Sequence, residues 1–239
     1  MKSAFYSVAV ALVAASIASL AGCANSGSGS GETATMTQAQ QVAMTPDQAL
    51  ARLVEGNNRF VAGTSIHRDH PAQVATTALG QFPFAIVHSC IDSRSAPEIV
   101  FDQGLGDLFA PRIAGNYVQS DILGSMEFAA KVAGARLILV VGHSACGAVM
   151  GATDNVQLGN LTTVIQSIRP AVEQVKNVPG ERNSKNAAFV TAATEMNVRM
   201  TVAKIRRDST ILRGLENSGQ IKIVGALHDI ATGKVTILN

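Results

Sequence analysis

Two short stretches carry side chains able to bind a metal and steer a proton. Cys90-Ile-Asp92-Ser-Arg94 sets a thiol, a carboxylate and a guanidinium at alternate positions, and Gly142-His143-Ser-Ala-Cys146-Gly147 sets an imidazole three residues before a thiol. Zinc takes nitrogen and sulfur donors, and a catalytic zinc keeps three protein ligands and one open position. Cys90, His143 and Cys146 make such a set if the fold brings the two stretches together. In an extended segment alternate side chains face the same way, so Cys90, Asp92 and Arg94 share a side. A guanidinium there can hold the carboxylate bidentately, ionised and off the metal. Taken alone, Asp92 and Arg94 read as a local salt bridge or capping pair; beside an open metal position they read as proton-handling machinery. The competing reading of the thiols is a structural Cys90–Cys146 disulfide.

Parallel strands are what would position these residues. Residues 137–141 are consecutively apolar and stopped by Gly142, too short a run for a helix and β-branched enough for a strand buried on both faces. Residues 82–90 form a second such run, ending in Cys90. Open parallel sheets place their ligands beyond the carboxyl ends of the strands, where Cys90, His143 and Cys146 then meet. Thr45 and Pro46 start a helix whose apolar stripe (Leu50, Leu53, Val54, Phe60, Val61) ends at Gly63. Helices are also expected from Pro97, over 121–131, after Gly147, over 160–176 and over 187–207, with a third short strand at 108–110. The helix after Cys146 turns its N-terminal dipole toward thiolate charge. Strands at 221–228 and 234–238, joined by a short link, form a hairpin. The fold class is therefore α/β: a mostly parallel central sheet with an antiparallel edge, flanked by helices. His67, Arg68, Asp69 and His70 read as a solvated loop rather than a second metal cluster.

The composition excludes some functions. A net charge of +2, 15% charged residues, no Trp and 2 Tyr offer neither a basic field nor a stacking platform for nucleic acid. At 239 residues and 47% hydrophobic, the chain can bury one sizeable core. Lys2 precedes an apolar run over 6–20 that ends in Leu20-Ala21-Gly22-Cys23. That tetrapeptide resembles the bacterial lipobox, in which the cysteine is lipidated and becomes the mature N-terminus. The expected organisation is a lipoprotein signal peptide over 1–22, a flexible Gly/Ser-rich tether over 23–44 and one domain over 45–239. The expected location is the periplasm, with membrane contact only through a lipid on Cys23; Ala24, where inner-membrane retention favours Asp, points to the outer membrane.

The paired motifs resemble the β-class carbonic anhydrase family. Supporting stretches are Arg112-Ile-Ala-Gly-Asn116, Ser125-Met-Glu-Phe-Ala129 and Gly225-Ala-Leu-His228-Asp-Ile, so the resemblance spans nearly all of the expected domain. It implies one zinc per chain on Cys90, His143 and Cys146, and a catalytic dyad of Asp92 and Arg94. It also implies reversible hydration of carbon dioxide to bicarbonate and a proton by zinc-bound hydroxide. Gln81 matches the family glutamine that hydrogen-bonds substrate across a dimer interface, a role nothing in its own surroundings announces. A homodimer or homotetramer is implied, with the N-terminal helix gripping the neighbouring subunit. Members with a regulatory bicarbonate site carry Trp and Tyr where this chain has Val87 and His228, which argues against such regulation here although Arg112 matches. His228 reads as a satisfied, buried strand histidine in preference to a proton acceptor. The alternatives are a same-scaffold carbon disulfide or carbonyl sulfide hydrolase, and a non-catalytic zinc-binding or disulfide-stabilised protein.

Overall fold

The computed structural model describes residues 31–238. The expected signal peptide over 1–22 and the expected lipidation site Cys23 lie outside them. The elements run α1 (Gln38–Ala43), α2 (Pro46–Ala62), α3 (His70–Thr77), β1 (Ala85–Ser89), α4 (Pro97–Val100), β2 (Leu108–Phe109) and α5 (Ser120–Glu127), the last continued by a π-helical turn at Phe128–Val132. They continue with β3 (Leu137–His143), α6 (Gly147–Thr153), α7 (Leu161–Gln174), α8 (Ala187–Asp208), α9 (Thr210–Asn217), β4 (Lys222–His228) and β5 (Val235–Leu238).

One sheet of order β2-β1-β3-β4-β5 forms the centre, parallel throughout except for the β4–β5 hairpin. This is the expected architecture, and its cause is legible in the two central strands. Every residue of β1 and β3 is buried, because helices cover both faces of a parallel sheet. Leu137, Leu139 and Val141 face the side holding Leu53 of α2 and Phe101, while Ile138 and Val140 face Val198, Val202 and Ile205 of α8. α8 also packs against α6, α7 and β4, so one long helix braces much of the sheet's site-bearing end.

Helix α2 begins as its sequence predicts: Thr45 caps it in a reciprocal capping box with Gln48, and Pro46 opens the first turn. Of the stretch expected as a tether over 23–44, the described part from residue 31 is not free of the domain. Thr37 caps α1, and Gln41 is buried, its side-chain amide donating to the carbonyls of Pro83 (2.7 Å) and Ala133 (2.8 Å). Polar residues here are fixed by hydrogen bonds rather than by an apolar stripe. The stretch expected to be a solvated loop is also engaged. Glu32 pairs with Arg68 as a β-bridge, Asp69 caps α3, and Arg68 reaches the buried carboxylate of Asp102.

Candidate metal centre

The register Ser89↔Val141 sets the carboxyl ends of β1 and β3 side by side. Cys90 is the first residue past β1, His143 the last of β3, and Cys146 the residue that opens α6. A tight turn through Ala145, at φ 52°, brings Cys146 back toward His143. Their ligand atoms all lie within 4.8 Å of one another and all three residues are buried. The sulfurs are 3.9 Å apart and both thiols are free, so the disulfide alternative is not what this fold builds. With metal–sulfur bonds of about 2.3 Å, a tetrahedral centre holds two thiolates roughly 3.8 Å apart.

The imidazole makes the stronger case. His143 Nδ1 lies 3.0 Å from the Ser144 carbonyl, which can only accept, so the proton sits on Nδ1 and the lone pair on Nε2. That Nε2 is buried and has no hydrogen-bond partner among the described residues, although it stands among two sulfurs and a carboxylate. A buried acceptor left bare is costly, and a metal ion satisfies it. Ser144 is itself fixed: its N–H donates to His228 O (2.9 Å) and its hydroxyl to Asp229 (3.3 Å), while Ile230 N–H donates to the hydroxyl (3.0 Å). The donor set, its spacing and the bare Nε2 fit zinc.

The two thiols differ. The Cys146 thiol beside it, followed by His143 and the Gly115 N–H, pulls the Cys90 pKa well below the ordinary thiol value. Cys146 is pushed up by the hydrogen bond to Cys90 and by burial, against the N–H groups of Val149 and Ala148 at the start of α6. Burial would keep His143 neutral, but the Cys90 thiolate and Asp92 raise its pKa.

Asp92 and Arg94 are brought together as expected. Arg94 Nε donates to Asp92 Oδ1 (2.9 Å), its Nη2 to Oδ2 (2.7 Å), and its backbone N–H to Oδ1 (3.0 Å). The side chain of Arg94 holds the carboxyl well below the usual carboxylate range. Asp92 Oδ2 stands 3.9 Å from His143 Nε2, bordering the three ligands without joining them.

Three supports are given no part in the metal centre by the sequence, although Arg112 and Gly115 lie in a stretch that carries the family resemblance. Arg112 clamps the loop that carries both a ligand and the carboxylate, donating to Cys90 O (2.9 Å) and Asp92 O (2.6 Å). Gly115 N–H reaches Cys90 Sγ at 3.3 Å. Ser95 meets His228 Nδ1 at 3.1 Å, so His228 is buried with a partner; burial, then the neighbouring His143, lowers its pKa. Val87 is fully buried within β1. Gln81 is exposed on the connection between α3 and β1 and makes no hydrogen bond to the Cys90–His143–Cys146 group.

A family model described as carbonic anhydrase matches residues 85–235. Carbonic anhydrase 2 of Mycobacterium tuberculosis is 36% identical over 201 residues, which cover 80% of this chain and 92% of the relative. The fold is shared with the β-carbonic anhydrase CcaA, at TM-score 0.63 and 22% identity, over 80% of this chain and 87% of that one. It is shared equally with tetrameric β-carbonic anhydrases of Sordaria macrospora, at TM-score 0.61 and 21% identity, over 80% and 96% of the respective chains.

Proposed function

The chain belongs to the β-class carbonic anhydrase family, and from that premise we propose that it hydrates carbon dioxide reversibly to bicarbonate and a proton at the Cys90–His143–Cys146 centre. The observation that carries the site assignment is the buried, partnerless Nε2 of His143 facing two free thiols. Cys90, His143 and Cys146 would hold one zinc per chain, which when bound would supply the Lewis acidity that lowers the pKa of water toward neutrality. Arg94 keeps Asp92 ionised and withdrawn from the ligand set. Asp92 Oδ2 accepts a hydrogen bond from the attacking oxygen and turns the lone pair of that oxygen toward carbon dioxide. Because Asp92 is so weakly basic, it orients the proton rather than storing it, and solvent or buffer carries the proton away.

Stopped-flow hydration of carbon dioxide by the zinc-loaded protein at about pH 8.5, where thiolate ligation still leaves water ionised, tests this reading. Absence of hydration by protein with a full complement of zinc would overturn it.

Assembly belongs to the same proposal. An apolar groove of about 650 Å³ opens beside edge strand β2, lined by Phe109, Pro111, Gly124 and Phe128, with Phe128 54% exposed. A second copy covering this face would make the homodimer or homotetramer, the assembly in which the family resemblance gives Gln81 of one subunit a contact with substrate in another. The lipobox-like Leu20-Ala21-Gly22-Cys23 supports export and lipid attachment at Cys23, with the catalytic domain held in the periplasm on the outer membrane. Metabolic labelling with a clickable fatty acid, lost on Cys23→Ser, checks the attachment.

A further inference from the structure

We propose that Asn197 is a positioning residue of the metal centre, acting through Gly115 on the Cys90 thiolate. The inference rests on the zinc reading above and adds to it a part of the ligand set's support drawn from α8, 51 residues beyond the last ligand in the chain.

Asn197 lies on the inner side of α8, 3% exposed, beside Thr194 and Val198. Asparagine is a poor helix former, and burying its amide costs free energy unless the amide is bonded. An apolar side chain of the same size would suit this position better if packing were the only requirement. The amide is bonded: Nδ2 donates to the Gly115 carbonyl at 2.7 Å. Gly115 in turn donates its N–H to Cys90 Sγ at 3.3 Å. One residue thus takes its anchor from α8 and gives its donor to a ligand sulfur.

The turn explains why an anchor is needed. Asn116 N–H closes onto Ile113 O at 3.0 Å, and Gly115 occupies the third position at φ +75°. A type II turn requires that value, and its central peptide can flip with little movement of the ends. A flip would swing the Gly115 N–H away from Cys90. The Asn197 bond ties the Gly115 carbonyl, on the far side of the turn, to α8 and so fixes where the residue that presents this N–H sits. At φ +75° any side chain on Gly115 would be strained, and its Cβ would crowd Ile168 Cδ1 at 2.4 Å, so a larger residue is poorly suited to stiffen the turn in its place. The N–H donor withdraws charge from the thiolate, which sets how strongly Cys90 donates to the metal.

The test compares the zinc-loaded protein with Asn197→Leu, which keeps the volume and removes the donor. Chelator competition should show zinc retention weakened about 10- to 100-fold, the range for lost outer-shell partners. In the cobalt-substituted proteins the thiolate-to-metal charge-transfer band should shift. A purely structural role for Asn197 would lower the melting temperature and leave both readouts unchanged, and that result overturns the proposal. Should Asn197→Leu not fold, the wild type decides. With NMR-active cadmium in the site, the Gly115 amide proton should show scalar coupling to the metal through the N–H···S bond, and its absence overturns the proposal. A wild type that takes up no metal overturns the zinc reading as well; a metal-binding wild type matched by its variant overturns this inference alone.

Discussion

His143 Nε2 and Asp92 Oδ2 face each other across 3.9 Å with no hydrogen bond between them. Both Asp92 oxygens are taken by Arg94, so the carboxylate borders the metal position without occupying it. In the proposed mechanism this pairing gives Arg94 the task of keeping a coordination position open. Asp92→Asn retains shape and removes the charge that accepts the hydrogen bond. Hydration should fall about 10²- to 10⁴-fold, as for loss of a positioned proton-handling group, with zinc content unchanged. Arg94→Ala should act differently: the freed carboxylate can move onto the metal, so activity falls most at low pH and recovers as pH rises. Parallel pH–rate profiles for Arg94→Ala and wild type would sink this assignment.

Zinc loading should protect the thiols and release protons. Cys146 is held protonated by its hydrogen bond to Cys90 and by burial, so it must lose that proton to ligate. Affinity therefore rises with pH, about tenfold per unit while one proton is displaced. A chelator should expose two buried thiols, Cys90 and Cys146, to a thiol reagent that the zinc form resists. Equal reactivity with and without the chelator would mean that the sulfurs do not hold the metal.

The site was legible in the sequence because its parts announce themselves locally. Apolar runs broken at Gly142 and at Cys90 define two strand ends, and parallel pairing needs no further information to bring Cys90, His143 and Cys146 together. What escaped the sequence depends on partners distant in the chain. Asn197 finds Gly115 across 82 positions, and Ser95 finds His228 across 133. Neither pairing leaves a periodic pattern. Ser209 hides α9 for a local reason: it ends α8 and caps α9 at once, its hydroxyl accepting from Leu212 N–H at 3.1 Å, so no loop separates the helices. Gln81 shows the limit from the other side. Within one chain it is an exposed connection residue, and its assigned role needs a second subunit.

Acid should destabilise the domain partly through Asp102. Its carboxylate is buried and paired with Arg59 and Arg68, and the Ile66 N–H adds a further donor. Burial opposes the charge, but the two arginines outweigh it and the pKa is lowered. A carboxyl whose folded pKa lies below its unfolded value of about 3.9 stabilises the fold above that value and loses the contribution as pH falls toward the folded pKa. Asp102→Asn leaves two guanidinium groups without their counter-ion and should cost about 3 kcal/mol near neutrality. Denaturant unfolding of both proteins should show the gap closing below about pH 4. A gap independent of pH would mean that the charge of Asp102 contributes nothing.

Gly142 sets how closely α8 approaches the strand that ends in His143. A Cβ there would lie 2.6 Å from Val198 Cγ2, 3.0 Å from Thr194 Cγ2 and 3.4 Å from Leu227 Cδ2. Two effects of Gly142→Ala oppose each other. Restricting the unfolded chain stabilises by about 0.4–1 kcal/mol where the native backbone suits alanine. Overpacking a dense core costs about 1–3 kcal/mol, because the neighbours must leave their rotamers or the helix must move. Both close contacts come from branched side chains on the same helix, whose χ1 has little freedom, so the steric cost wins. The strain falls on the residue before His143, and zinc retention should weaken along with stability. Val198→Ala removes the nearest methyl and leaves room for the new Cβ. In a double-mutant cycle Gly142→Ala should be less destabilising in the Val198→Ala background than in the wild type, and chelator competition should recover in step. Strict additivity of the two substitutions would show that the helix yields freely, and that the spacing of His143 is set elsewhere.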